Sequence, residues 1–332
     1  MRFLWRMVML CVVGAGLAWM APAWAAGQAA EGGKAVAVRP PADLKPGQYF
    51  LDGKVLEGDA VCMHCHDEQE QKPILSIIKS PHMVKADKRT GGCQGCHGTS
   101  DKHIHNAEGA KDRTKPDVVY GPKSTTPVDV QVETCLGCHE GGKRMFWAGS
   151  KHETVKNACT SCHSMHTGND LVLGKSTQRE VCFKCHKVQR AESLRISTHP
   201  LEAGKVSCSD CHNPHGSVAP KLMAQDSINE TCYTCHTEKR GPFLFEHAPV
   251  ADNCVNCHTP HGSNITPLLK SRPPFLCQAC HDESRHPANA YSGRNLPANN
   301  ASPAAQLMLH GCTNCHAQVH GSNHPDGHLN LR

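Results

Sequence analysis

The pattern Cys-x-x-Cys-His, met ten times in 332 residues, constrains this chain more than any other feature. The copies are Cys62, Cys65 and His66; Cys93, Cys96 and His97; Cys135, Cys138 and His139; Cys159, Cys162 and His163; Cys182, Cys185 and His186; Cys208, Cys211 and His212; Cys232, Cys235 and His236; Cys254, Cys257 and His258; Cys277, Cys280 and His281; Cys312, Cys315 and His316. Two thiols at this separation add to the vinyl groups of one porphyrin, and the adjoining histidine lies under the ring as an axial iron ligand: the attachment signature of a c-type haem. A zinc site made of two CxxC pairs or a thioredoxin-like redox pair accounts for isolated cases. Neither needs a histidine after every pair, and here all ten pairs have one. The sequence predicts ten covalently bound haems.

The chain opens like an exported protein. Arg2 and Arg6 precede an apolar run from Val8 to Met20, and Ala23-Trp24-Ala25 fits a small-residue cleavage site, so residues 1–25 read as a signal peptide. The run is short for a spanning helix. Of 21 cysteines only Cys11, inside that run, lies outside the motifs. None is left for a disulfide, which suits a protein whose thiols are capped by haem in an oxidising compartment. Three of four tryptophans leave with the signal and Trp147 stays, so porphyrins are expected to supply most of the core. The net charge of +5 includes Arg2 and Arg6, and each haem adds two propionates. The mature holoprotein is therefore expected to be anionic, which argues against nucleic acid as a partner.

Residues 26–60 are rich in Ala, Gly and Pro and read as an extended N-terminal lead. The cytochrome region, 61–332, divides into two-motif modules at about 61–134, 135–181, 182–231, 232–276 and 277–332. The first module ends in a motif-free stretch, about 106–134, read as a surface loop that its length marks as functional. From Cys135 to Cys277 motif starts are separated by 24, 23, 26, 24, 22 and 23 residues. A fixed period of this kind marks an extended array in which each unit contacts mainly its neighbours. Apolar periodicity is weak, so the expected fold class is a multihaem cytochrome c of short α-helices, typically ending at a CxxCH, joined by irregular coil with little or no β-sheet.

Ten of the 25 histidines follow a motif. Among the other fifteen, each module offers two at recurring places, one just behind its second motif and one upstream of that motif. The ten chosen as distal ligands are His82, His103, His152, His166, His199, His215, His247, His261, His286 and His320. His105, His310 and His324 compete with His103, His286 and His320 respectively, and His64 lies inside a CxxC loop where it cannot return to its own iron. With both axial positions filled by histidine no iron has a vacant site for substrate. The expected activity is electron transfer, without an open catalytic haem. A multihaem nitrite- or hydroxylamine-type enzyme would want one such haem, often signalled by CxxCK, and none is present.

The ten motifs, the His212-Asn-Pro-His215-Gly216 and His258-Thr-Pro-His261-Gly262 segments, and the ending from Cys312 through His320 to His324-Pro325 resemble the periplasmic decahaem cytochromes of porin-cytochrome conduits. This is the Mtr-type and DmsE-type family of metal-reducing and iron-oxidising bacteria. The resemblance covers essentially the whole mature chain. It implies a periplasmic protein held at the outer membrane in a β-barrel porin. There it would pass electrons between periplasmic or inner-membrane cytochromes and extracellular iron or a surface multihaem cytochrome. An anionic cytochrome cannot cross a hydrocarbon layer of about 30 Å alone, whereas a large barrel encloses a polar lumen. A soluble periplasmic shuttle feeding a separate reductase is the alternative that the histidine pattern leaves open.

Overall fold

A computed structural model of the chain describes residues 41–70, 74–84, 86–87, 89–106, 113–281, 312–314 and 316–329. The signal, the first part of the lead, His286, His310 and Cys315 lie outside the described residues. The described residues form coil punctuated by short helices, the longest among them being the twelve-residue helix Val128–His139. One antiparallel pair, β1 (Tyr49–Leu51) and β2 (Lys54–Leu56), makes up the sheet. No helix among the described residues is long and apolar enough to cross a membrane.

Many of the short helices form a single turn at a motif, and others, such as Asp101–Ile104, Lys151–Thr154 and Ala248–Asp252, lie between motifs. In motif after motif the histidine N–H donates to the carbonyl of the first cysteine, as in His66 to Cys62 at 3.0 Å, His163 to Cys159 at 2.9 Å and His212 to Cys208 at 2.9 Å. One helical i to i−4 turn sets residues four apart on the same face. Both thiols and the histidine are thereby gathered at one side of the backbone. Capping starts several of these turns: Ser227 accepts from the Glu230 N–H, and Ser207 and Asp210 form a reciprocal capping box.

Polar side chains tie the two motifs of a module together. Three or four residues ahead of a first motif, Asp59, Gln178 and Asn229 accept from the backbone N–H of Cys93, Ser209 and Cys254 at 2.7, 2.8 and 2.8 Å. The buried state of Gln178 and Asn229 is thereby matched by hydrogen bonds, as burial of an amide requires. The apolar core is thin. It consists of Val61, Val132, Trp147, Ala158, Val181, Phe183, Ala219 and Met223, and no described large side chain is fully enclosed. A chain of this size ordinarily buries far more.

Within the segment read as an extended lead, the β1–β2 hairpin docks on the first module. The Gly47 N–H donates to Asp101 Oδ1 at 2.8 Å, Gln94 Nε2 donates to the Gly47 carbonyl at 2.8 Å, and the Tyr49 ring stacks with those of His64 and His105, its centroid 5.8 Å from each. Successive modules meet through backbone. Ser197 and Ser263 exchange two bonds of 2.8 Å, and Phe245 and Ser322 exchange two of 2.9 Å.

Candidate haem-binding sites

Among the described residues nine histidine pairs face each other at nearly one spacing. Ring centroids lie 5.9–6.4 Å apart for His66 and His103, His97 and His166, His139 and His82, His163 and His215, His186 and His152, His212 and His261, His236 and His199, His258 and His320, and His281 and His247. In each pair one member follows a CxxC and the other does not. Two imidazoles bonded to one ion from opposite sides, each at a metal–nitrogen length of about 2 Å, hold their centroids about 6 Å apart. The gap accepts an iron and its porphyrin plane, so the donor set fits a bis-histidine haem.

The tautomer fits as well. Nδ1–H of His97 donates to the Val118 carbonyl, that of His103 to Thr114, His152 to Pro214, His199 to Pro260, His212 to Lys221, His247 to Val319 and His258 to Pro267, at 2.6–3.0 Å. An imidazole that donates from Nδ1 to a carbonyl keeps the Nε2 lone pair for a metal. Burial pushes the pKa of His139, His166, His212 and His320 down, and that of His215 down to about 4. The neutral form, which binds iron, is the one the site favours.

These pairs cross between modules. Only His66 and His103 share one; the other eight couple each of modules 135–181, 182–231 and 232–276 to both neighbours, two pairs at every boundary. In the regular part, the histidine behind a second motif reaches back to the preceding module, and the upstream histidine reaches forward to the next. The carbonyls of Pro214, Pro260 and Val319 each precede such a reaching histidine and accept from the upstream histidine of the module before. Each contact is thus reciprocal.

This packing explains the His-Gly dipeptides. Gly216, Gly262 and Gly321 have φ of +117°, +143° and +127°, and a Cβ there would fall 2.0 Å from the Phe146 carbonyl oxygen, 2.0 Å from that of Glu192 and 2.4 Å from Phe243 Cδ2. Glycine is the residue that tolerates both the conformation and the approach.

The cysteines are also ordered. The first cysteines of the two motifs in a module interact directly: Cys62 with Cys93, Cys135 with Cys159, Cys182 with Cys208, Cys232 with Cys254 and Cys277 with Cys312. The shared hydrogen bond holds the Cys159, Cys208 and Cys254 thiols down at about 7. Between modules the second cysteines are neighbours. Burial first, then the charge of the thiol across the boundary, raises Cys96 beside Cys138, Cys162 beside Cys185, and Cys257 beside Cys280. Cys211 is raised by burial, by Asp210 and then by Cys235. The attachment points therefore follow one another in sequence order without a gap.

The structure sets His103 rather than His105 opposite His66, and His320 rather than His324 opposite His258. Neither candidate for His316, His286 or His310, lies within the described residues. Sequence reasoning missed the acceptors. Residues 113–127, read as part of a surface loop, supply the Thr114 and Val118 carbonyls to His103 and His97, while Tyr120 Oη–H donates to the Cys96 carbonyl at 2.8 Å. Two carboxylates were missed too: Glu70 Oε1 lies 2.8 Å from His66 Nδ1, and Asp170 Oδ2 2.7 Å from His163 Nδ1.

Comparison with known proteins places the chain among multihaem c-type cytochromes. Residues 199–241 and 247–286 match the doubled CXXCH motif family, and residues 93–179 match the cytochrome c-type protein NrfB-like family. The chain is 43% identical over 289 residues to multiheme cytochrome MtrA of Shewanella baltica, covering 84% of each chain. It is 32% identical over 140 residues to the cytochrome c-type protein NrfB of Escherichia coli, covering 40% of this chain and 67% of that one. A 26% identical stretch of 175 residues, half of this chain and 28% of the other, relates it to the high-molecular-weight cytochrome c of Nitratidesulfovibrio vulgaris.

Proposed function

Because the chain belongs to the MtrA family of multihaem c-type cytochromes, an electron-transfer family, we propose that it carries ten bis-histidine haems and conducts electrons across the outer membrane inside a β-barrel porin. The observation that carries this reading is the uninterrupted order of attachment sites, with opposed histidines at nine of them. Each CxxC pair would hold its porphyrin by thioethers, and each histidine pair would close the iron to exogenous ligands. When bound, the haems supply one-electron chemistry; the polypeptide fixes their order and their axial field. Signal cleavage after Ala25 would deliver the chain to the periplasm, where cytochromes of the inner membrane or periplasm are its electron partners. The far end would meet extracellular iron or a surface multihaem cytochrome. The same array runs outward for Fe(III) reduction and inward for Fe(II) oxidation, as the potentials at its ends dictate.

The similarity of residues 93–179 to NrfB-like proteins favours a second reading, a soluble periplasmic shuttle feeding a separate reductase. Detergent extraction of outer membranes, affinity recovery of the native protein and mass identification of what accompanies it separates the two. Recovery in a stable complex with a large β-barrel protein supports the conduit. Recovery as a monomer confined to the periplasmic fraction overturns it and supports the shuttle.

A further inference from the structure

Four histidines that end second motifs can be compared directly. His97, His212 and His258 donate from Nδ1 to backbone carbonyls at 2.7, 2.9 and 3.0 Å. His163, at the equivalent place, donates to a carboxylate, Asp170 Oδ2, at 2.7 Å. The Asp170 side chain is only 11% exposed. Its other oxygen accepts from the Ser164 and Val172 N–H groups at 3.2 and 3.5 Å, which aim the carboxylate at the imidazole. Across the iron gap, His215 stands nearly parallel at 9°, beside Trp147, and its buried Nδ1 has no acceptor among the described residues.

A carboxylate that accepts from Nδ1–H draws the proton off the ring and makes Nε2 a stronger donor than a carbonyl does. A stronger axial donor stabilises Fe(III) over Fe(II), and hydrogen bonding around the iron is one of the levers by which a protein sets a haem potential. We propose that Asp170 gives His163 imidazolate character and makes the haem at Cys159 and Cys162 a low-potential step inside the array, below the haems held by His97, His212 and His258. His66, whose Nδ1 meets the more exposed Glu70 carboxylate, belongs to the first motif at one end of the array. Asp170 would therefore set the low-potential step in its interior, with haems that fill earlier on both sides. This rests on the axial pairing proposed above, and Asp170 acts as a positioning and tuning residue through His163.

The test is a redox titration of the holoprotein followed by electron paramagnetic resonance, on the native chain and on Asp170→Asn and Asp170→Ala. A strong imidazolate-like donor narrows the g spread of low-spin Fe(III). In the native protein the component of narrowest spread should be the last of the low-spin signals to disappear on reduction. In both variants that component should broaden and move to higher potential, while the rest of the titration stays in place. If native haems prove high-spin, the axial reading itself fails. If all are low-spin but the narrow component is absent or is reduced early, the tuning role is overturned even should neither variant accumulate. A uniform shift of every component would mean that Asp170 acts only as a distant charge, and a new high-spin haem in the variants that it merely places His163. Either result also overturns the proposal.

Discussion

His103 and His105 sit on one helical turn, Asp101–Ile104 and its cap. At about 100° per residue, positions two apart point roughly 200° away from each other. His103 therefore meets His66, and His105 turns to Tyr49. His103→Ala should convert one haem to a high-spin form with an open face, read as a high-spin resonance and carbon monoxide binding in the reduced state. His105→Ala should leave every haem low-spin. The His-Gly steps carry a second expectation. Gly262→Ala forces a Cβ onto the Glu192 carbonyl at φ +143°. Strain alone costs about 1–3 kcal/mol at such a position, with the clash in addition. Thermal unfolding should fall markedly, and the haems of the His212–His261 and His236–His199 pairs should be the ones that lose low-spin character. The cysteines and proximal histidines were legible in sequence because spacing alone defines them. The choice between two histidines two residues apart was not, since it depends on the direction of one turn.

At the scale of elements, eight of the nine described histidine pairs join two modules. Each of the middle three hands one histidine forward and one back, so a lesion in one module should surface in the next. His152→Ala changes residues 135–181, yet the affected iron is the one over His186 in module 182–231. This can be read directly. The His152 and His186 planes stand 87° apart and those of His82 and His139 71°, whereas His163 and His215 lie at 9° and His258 and His320 at 10°. Parallel imidazoles split the iron dπ orbitals and give rhombic low-spin spectra. Crossed ones leave the orbitals nearly degenerate and give a highly anisotropic signal. The oxidised protein should show both classes, with the anisotropic class in the minority, and His152→Ala should remove part of that minority while the rhombic signals stay. The period of the motifs was visible in sequence; the exchange between modules was not. Nor were the acceptors at Thr114, Val118, Pro214, Pro260 and Val319, because a backbone carbonyl leaves no mark in the identity of its residue.

For the whole molecule the decisive quantity is the scarcity of apolar side chains in the interior. The eight buried apolar residues among those described cannot offset a backbone ordering cost of about 1–2 kcal/mol per residue. On the proposed axial pairing, porphyrins would fill the space that the histidine pairs keep open. Attachment should then be folding, as it is for domains held by metal. The haem-free chain, made without the cytochrome c assembly machinery or with the motif cysteines replaced by alanine, should give a coil-like far-ultraviolet circular dichroism spectrum, no cooperative thermal transition and rapid proteolysis throughout. Because histidines of every middle module face histidines of both neighbours, the loss should also be shared. Replacing only Cys232 and Cys235 removes the porphyrin over His236 and leaves His199 without its iron. Such a protein should melt earlier across the flanking modules rather than in module 232–276 alone, with limited proteolysis opening 182–231 as readily as the site of the change. Cleavage confined to 232–276 would mean that the modules fold independently, and that the exchanged histidines join units already formed.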